Sequence, residues 1–172
     1  LFKNINSFIA EQMANIAYIG PFRSPPQRTY RDTESIYKYV GKSGEHSSTI
    51  LKQAQKNEFP LLPKVSQWFQ NAMGYTIDIE DIKGTNLFKI KAHSDKKSYG
   101  DDLIDVGFGI SQILPIVIQL NYENTNGNGY SEHLKDIDKT FIIEQPEIHL
   151  HPNAQAELAN LFVGRVQDKR SK

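Results

Sequence analysis

Apolar and polar positions follow two periods along the chain, and each period predicts a different kind of element. Apolar residues at helical spacing predict helices over 2–13, from Ser47 or Ser48 to about 57, and over 61–73, where Gly74 follows as a C-cap glycine. Alternation at period two over 75–80 and 87–92 predicts a hairpin with one face in water. Continuous apolar runs at 16–19 and 140–144 predict two buried strands.

The remaining segments are predicted as loops, a second apolar helix and a closing helix. Residues 20–30 hold three prolines and two arginines, which predicts an ordered loop or a linker. Residues 93–102 are predicted as a loop, and 121–138 as a flexible surface insertion. An apolar helix is expected to end near Leu120, and Pro115 argues against its starting far upstream. The closing helix is predicted to bury a stripe of Ala154, Leu158, Leu161, Phe162 and Val166.

Composition limits the classes of protein without naming one. The 172 residues suffice for one domain or slightly more, the formal net charge is zero, and there is no cysteine. No global charge therefore attracts the chain to nucleic acid or to an anionic membrane. The longest apolar run, 113–118, is far below the roughly 18 residues that a membrane span requires. We expect a soluble, cytoplasmic protein. The chain begins at Leu1 without an initiator Met or a signal peptide, which suggests a fragment of something longer.

Two segments carry candidate chemistry, and they occur in a fixed order. The first, VGFGISQ at 106–112, is a glycine-rich turn that enters a helix. Glycines let backbone N–H groups approach an anion closely, and a helix N-terminus adds partial positive charge, so this turn suits a phosphate. The second, FIIEQPE at 141–147, is a buried strand that delivers Glu144 to a sheet edge. One carboxylate together with phosphate oxygens suits the coordination shell of Mg²⁺.

Together these segments resemble the second half of an ABC-type ATPase head. GFGISQ resembles the signature motif, FIIEQPE resembles Walker B, and IHLHPNAQ at 148–155 resembles the D-loop and the helix after it. The division in question includes structural-maintenance-of-chromosomes proteins, RecF-like repair ATPases and OLD-family defence ATPases. The run from Ile19-Gly-Pro-Phe-Arg through Tyr39-Val-Gly-Lys-Ser-Gly-Glu to His-Leu-His-Pro resembles a bacterial ATP-binding family of that division, and the likeness covers most of the chain.

The resemblance implies an α/β fold, an incomplete P-loop NTPase head spanning 1–172, with a mixed sheet, the Walker B strand near its centre, and a helical subdomain carrying the signature. It implies ATP and Mg²⁺ as cofactors and a homodimer closed around nucleotide, in DNA transactions or defence against mobile DNA. DNA and an effector nuclease or other domain are further partners that it allows. The implied site residues are Glu144 for the metal, Gln145 and Glu147 for catalysis, and Gly107, Gly109, Ser111, Gln112 and His151 for nucleotide contacts.

Two departures from the family pattern predict weak turnover. Gln145 stands where the family has its catalytic glutamate, and a glutamine can orient a water but cannot accept its proton. Glu147 is the nearest replacement base. No G-x-x-x-x-G-K-[ST] occurs in the 172 residues, so the loop that cradles phosphates is expected upstream, and this chain alone is expected not to hydrolyse ATP.

Other interpretations stay open. VGFGISQ alone fits an ordinary strand-to-helix turn, and an ATPase-like scaffold without turnover is the competing class. Glu147, His149 and His151 alternate as metal ligands do on an extended segment, which would suit a metal-dependent hydrolase. Arg23, Arg28 and Arg31 either grip phosphate or DNA or form ion pairs across their loop. Trp68 and Phe69 are predicted to belong to the core rather than to a base-stacking platform.

Overall fold

The computed structural model describes residues 2–94, 99–122 and 140–170, which form a mixed α/β chain. The helices are α1 Phe2–Ala14, α2 Ser47–Lys56, α3 Leu61–Met73, α4 Phe108–Asn121 and α5 Pro152–Arg170, with a short 3-10 helix at Leu103–Asp105. The strands are β1 Ile16–Ile19, β2 Tyr30–Arg31, β3 Tyr75–Asp81, β4 Leu87–Ser94, β5 Asp101–Asp102 and β6 Thr140–Ile143. The helices and strands predicted over these residues are present, with small shifts at their ends. The expectation that β6 would be buried is wrong: its residues alternate between exposed and half-buried, and Ile142 is 45 % exposed. The element that contacts β6 most is β1, and this pairing leaves the face with Ile142 open to water in the described part of the chain.

An antiparallel sheet is built on the predicted hairpin. Strands β3 and β4 pair antiparallel, β2 and β5 both pair with β4, and alternation along β3 buries Ile77 and Ile79 while the residues between them face water. Gly74 ends α3 in the left-handed conformation and donates its N–H to the carbonyl of Gln70, as a C-cap glycine does. The prediction of a loop over 93–102 is wrong at both ends, because β4 runs to Ser94 and residues 101–102 pair with β4.

A separate, parallel pair of strands carries the candidate carboxylate. Strands β1 and β6 pair in register from Ile16 with Thr140 to Ile19 with Ile143, and the N–H of Glu144 donates to the carbonyl of Ile19. Within the described residues β6 pairs with β1 alone, so the single mixed sheet with β6 near its centre is not what the chain forms there. The reason lies in the hairpin, whose strands find their partners locally and do not continue the parallel pair.

The core lies between the helices and the antiparallel sheet. Helix α4 is buried from Ile110 to Leu120, and both Trp68 and Phe69 of α3 are buried, as predicted. Pro115 lies inside α4, so the expectation that it would exclude a helix starting well upstream was wrong. The ring of Pro115 packs against Gly44, where a Cβ atom would lie 2.4 Å from the proline Cγ. Burial of residues 110–120 compensates for the hydrogen bond that proline removes.

Two predicted apolar stripes are only partly covered. On α1, which begins the described chain, Phe8 and Met13 are more than half exposed. On α5, Ala154 and Leu158 are buried but Val166 is 55 % exposed, so the predicted stripe is buried only toward the start of that helix. Most of the insertion predicted over 121–138 lies outside the described residues. Among the helices described, none is both long enough and apolar enough to cross a bilayer.

Candidate functional site

The carboxylate predicted to bind metal lies at the carboxyl end of the parallel strands. Glu144 follows β6 directly, is exposed, and accepts a 2.6 Å hydrogen bond at Oε1 from the hydroxyl of Tyr18 on β1. This hydrogen bond is the main cause that raises the pKa of Tyr18, so the phenol stays a proton donor at neutral pH. Tyr18 pairs with Ile142, two residues before Glu144, and residues two apart on a strand share a face. The contact follows from the parallel register of β1 and β6, which the sequence alone does not give.

The segment after Glu144 turns sharply and is held in an uncommon backbone conformation. Gln145 has φ 46° and His149 has φ 62°, both in the left-handed region that non-glycine residues seldom adopt. Within the turn, the N–H of Leu150 donates to the carbonyl of Glu147 at 3.2 Å. Two such residues within five positions mark a segment whose shape is imposed by its surroundings, a feature that clusters at functional sites.

This turn rules out the metal set proposed for an extended segment. Residues 146–149 form turns, so the period-two argument for Glu147, His149 and His151 does not apply. Over the described part of the chain, no three His, Cys, Asp or Glu side chains cluster in a way that could hold a metal ion. His151 is exposed, and its backbone carbonyl accepts the N–H of Gln155 at the start of α5, where Pro152 takes the first helical position.

Fewer residues of the glycine turn that enters α4 are exposed to solvent than the motif suggests. Gly107 is exposed with φ 65° and ψ 151°, a conformation almost restricted to glycine, and a Cβ atom there would meet nothing within 4 Å. Phe108 is also exposed. Ser111 and Gln112 are buried instead, and the Ser111 hydroxyl donates to the carbonyl of Phe108 at 2.8 Å. Of the predicted nucleotide contacts in this motif, Gly107 is exposed and Gly109 is half-buried, so a ligand could reach only the start of the turn.

The glycine turn and the segment after β6 lie against each other, although about thirty residues separate them in sequence. A Cβ atom on Gly109 would lie 2.7 Å from the carbonyl oxygen of His149, so only glycine allows this approach. The rings of Phe108 and His149 meet edge to face, with centroids 5.1 Å apart. The contact joins the glycine turn to the segment 148–155, which follows the strand-end motif directly.

The three arginines of the proline-rich loop have different partners. Arg23 is buried, and its guanidinium donates to the backbone carbonyls of Glu144 at 2.6 Å and Gln145 at 3.2 Å. Neither interpretation offered from the sequence anticipated this contact. Arg28 forms ion pairs with Asp102 and Asp105, as the alternative to phosphate binding predicted. Arg31 is exposed on β2.

The Gly41-Lys42-Ser43-Gly44 turn lies beside the same strand ends but does not act as a phosphate loop. Its Lys42 carbonyl accepts the N–H of Gly20, which follows β1, and the Lys42 ammonium lies 5.9 Å from the centre of the Tyr18 ring. The Glu45 carboxylate folds back onto the turn and accepts the N–H and hydroxyl of Ser43, both at 2.8 Å. Burial raises the pKa of Glu45, but hydrogen bonds from its own backbone N–H and from Ser43 outweigh burial and hold the pKa below its ordinary value. The N–H and the hydroxyl of Ser43, two donors that an anion in this turn would need, are therefore already used.

The residues present fit a magnesium ion held chiefly by a nucleotide. Glu144 offers an exposed carboxylate, and Mg²⁺ characteristically takes one or two carboxylates with water and phosphate oxygens for the rest.

Comparison with known proteins gave no match: no family model, no curated protein and no solved structure is significantly similar to the chain.

Proposed function

We propose that this chain is part of an ATP-binding head that closes as a dimer around Mg²⁺-ATP and hydrolyses it slowly. The observation that supports this proposal best is the contact between Gly109 and the His149 carbonyl, since it brings the glycine turn against the segment that carries Glu144 and Gln145. In the closed dimer, the glycine-rich helix entrance of one subunit and the carboxylate at the strand end of the other would face the same nucleotide, and the contact fixes the spacing of these two parts within each subunit. The loop that cradles the phosphates in cis would come from outside these 172 residues.

Each residue then has a limited role. Glu144 holds the metal shell with the hydroxyl of Tyr18 orienting its carboxylate, and the metal would neutralise charge on the transferring phosphate. Gln145, exposed at the turn, orients the attacking water but cannot take its proton, which makes turnover slow. Glu147 is exposed two residues on and is the available base. Gly107 and the first N–H groups of α4 face the nucleotide bound by the partner subunit, which Ser111 and Gln112, being buried, do not.

The test compares Gly107→Ala with Gly84→Ala in the intact gene product. Both glycines have positive φ, 65° and 78°, and a Cβ atom at either position would have no neighbour within 4 Å, so each substitution strains the backbone without a steric clash. Gly84 lies in the hairpin between β3 and β4 and serves as the matched control. We expect Gly107→Ala alone to weaken ATP-dependent dimerisation, measured by light scattering with and without Mg²⁺-ATP. Equal behaviour of the two variants would count against the proposal.

A second candidate is an ATPase-shaped module that binds partners without turnover. The observation that favours it is Gln145 at the position where a carboxylate base is expected. In that case the intact protein binds nucleotide or a partner but does not hydrolyse ATP, and Glu147→Gln has no effect on hydrolysis. DNA transactions and defence against mobile DNA remain the processes proposed for the ATP-driven form, with a homodimer, DNA and an effector nuclease as proposed partners.

A further inference from the structure

Arg23 is a buried cation bonded to backbone rather than to a carboxylate. It is 8 % exposed, and its two terminal nitrogens donate to the carbonyls of Glu144, Gln145 and Pro21 at 2.6, 3.2 and 3.4 Å. Its Nε has no hydrogen-bond partner. Burial lowers the pKa of Arg23, and the nearby charge of Glu147 opposes this effect without a salt bridge being formed between the two described side chains. Burying a guanidinium without a bonded carboxylate is unfavourable, so the hydrogen bonds to the backbone carbonyls must offset much of that cost.

The two carbonyls nearest the guanidinium define the conformation of a single residue. The Glu144 carbonyl belongs to the rigid peptide plane before Gln145, and the Gln145 carbonyl belongs to the plane after it. Only φ and ψ of Gln145 separate these planes, so holding both oxygens on one planar guanidinium restricts the two angles together. The direction of the Gln145 side chain from its Cα atom is restricted as well.

The conformation held in this way is one that glutamine avoids. A φ of 46° costs an L-residue with a Cβ atom free energy that glycine does not lose. The following residue is Pro146, which has no N–H and further restricts Gln145. Without the hydrogen bonds from Arg23, the turn would relax toward negative φ and carry the Gln145 side chain to a new direction.

We propose that Arg23 is a positioning residue that holds Gln145 in the left-handed conformation and thereby aims the Gln145 side chain. Its consequence for catalysis rests on the proposed function, whereas the conformational part does not. Arg23 comes from the loop after β1 and the residues it holds follow β6, so it also ties the two strand ends together.

The conformational part is tested by hydrogen exchange and mass spectrometry on the intact gene product. Arg23→Gln should raise exchange in peptides covering 144–150, and Gln145→Gly added to it should restore part of the protection, because glycine adopts positive φ readily. Arg28→Gln removes an arginine whose partners lie elsewhere and should leave 144–150 unchanged. Unchanged exchange in Arg23→Gln, or no recovery on adding glycine, would overturn the proposal.

Protection of the 75–94 hairpin in the same digest shows whether each variant is folded. If Arg23→Gln is unfolded, Arg23→Lys replaces it, since lysine keeps the charge but cannot bridge two carbonyls with a planar fork. Arg23→Lys should raise exchange over 144–150 with the hairpin still protected, and full protection in both regions would overturn the proposal.

The catalytic consequence is tested by steady-state kinetics on the same proteins. We expect Arg23→Gln to lower kcat for ATP by about tenfold or more with little change in KM, because small misplacements of catalytic groups reduce rates steeply. An unchanged kcat in a variant whose 144–150 segment has opened would refute the catalytic role. If the wild type itself shows no turnover while exchange behaves as expected, the proposed function fails and the positioning role stands.

Discussion

Asp102 forms salt bridges with three cations, and replacing it with asparagine is our most informative stability prediction. Its side chain is 6 % exposed and lies 2.6 Å from the ammonium of Lys91, 3.1 Å from that of Lys89 and 3.1 Å from the guanidinium of Arg28. Asparagine has nearly the same volume but no charge. The substitution therefore leaves three neighbouring cations, two of them largely buried, without the anion that holds them together.

The magnitude follows from comparing buried and exposed pairs. Removing one partner of a buried ion pair costs about 3–5 kcal/mol, and because Lys89 and Arg28 retain water contact we expect about 3 kcal/mol for Asp102→Asn. Asp105→Asn is the matched control, because Asp105 and Arg28 are 48 % and 60 % exposed and such a pair contributes about 0–1 kcal/mol. Urea unfolding followed by circular dichroism measures both. Equal effects of the two variants would refute the reasoning from burial.

The same cluster predicts the direction of a pH dependence. Burial raises the pKa of Asp102, but the hydrogen bonds and charges of Lys91 and Lys89 outweigh burial and hold the pKa below its ordinary value. The unfolded chain, with a carboxyl pKa of about 4, therefore binds the proton more tightly than the folded chain. The stabilisation is complete above that pH and is lost as the pH falls through the lower folded pKa. Asp102→Asn should flatten the pH dependence of stability in that window, and an unchanged dependence would contradict the assignment.

Two further predictions concern the core around α4. Gly44→Ala should destabilise the fold by more than Gly84→Ala, because a Cβ atom on Gly44 would lie 2.4 Å from Pro115. Gly84→Ala should cost only the roughly 1–2 kcal/mol of a positive φ. Equal costs for the two variants would show that the proline ring moves aside. Gln119→Leu should cost about 1–3 kcal/mol, since the buried Gln119 side chain accepts the Val40 N–H at 2.8 Å and leucine leaves that donor unpaired. Thermal and urea unfolding measure both, and a neutral Gln119→Leu would imply that another acceptor replaces it.

Local patterns predicted the elements well because their causes are local. The hairpin, α3 with its Gly74 cap and the strands β1 and β6 all follow from periodicity and from glycine placement. The start of α4 well before Pro115 was not predicted, because the cost of a proline inside a helix is large only when packing does not compensate for it. In the folded chain the helix is buried on all sides, and packing against Gly44 accommodates the ring. The exposure of Val166 was missed for a similar reason, since periodicity identifies an apolar stripe but not what covers it.

The sequence predicted the motifs of the candidate site but not the residues that hold those motifs in place. Glu144 and Gln145 lie at the strand end, as the apolar run before them indicated. The contacts of Tyr18 and Arg23 with this turn span 126 and 121 residues, and nothing in the local sequence encodes such pairings. The metal interpretation of Glu147, His149 and His151 failed because it assumed an extended chain, whereas the left-handed Gln145 and His149 bend it.

Turnover of Mg²⁺-ATP by the intact gene product tests the central claim most directly, with wild type compared with Gln145→Glu and with Glu144→Gln. Glu80→Gln, on the antiparallel hairpin, is the matched control for loss of an exposed carboxylate. We predict slow hydrolysis by wild type and by Glu80→Gln, faster hydrolysis once Gln145 becomes a base, and loss of Mg²⁺-dependent turnover without Glu144. Absence of ATP binding and turnover in the wild type and in Gln145→Glu would contradict the account.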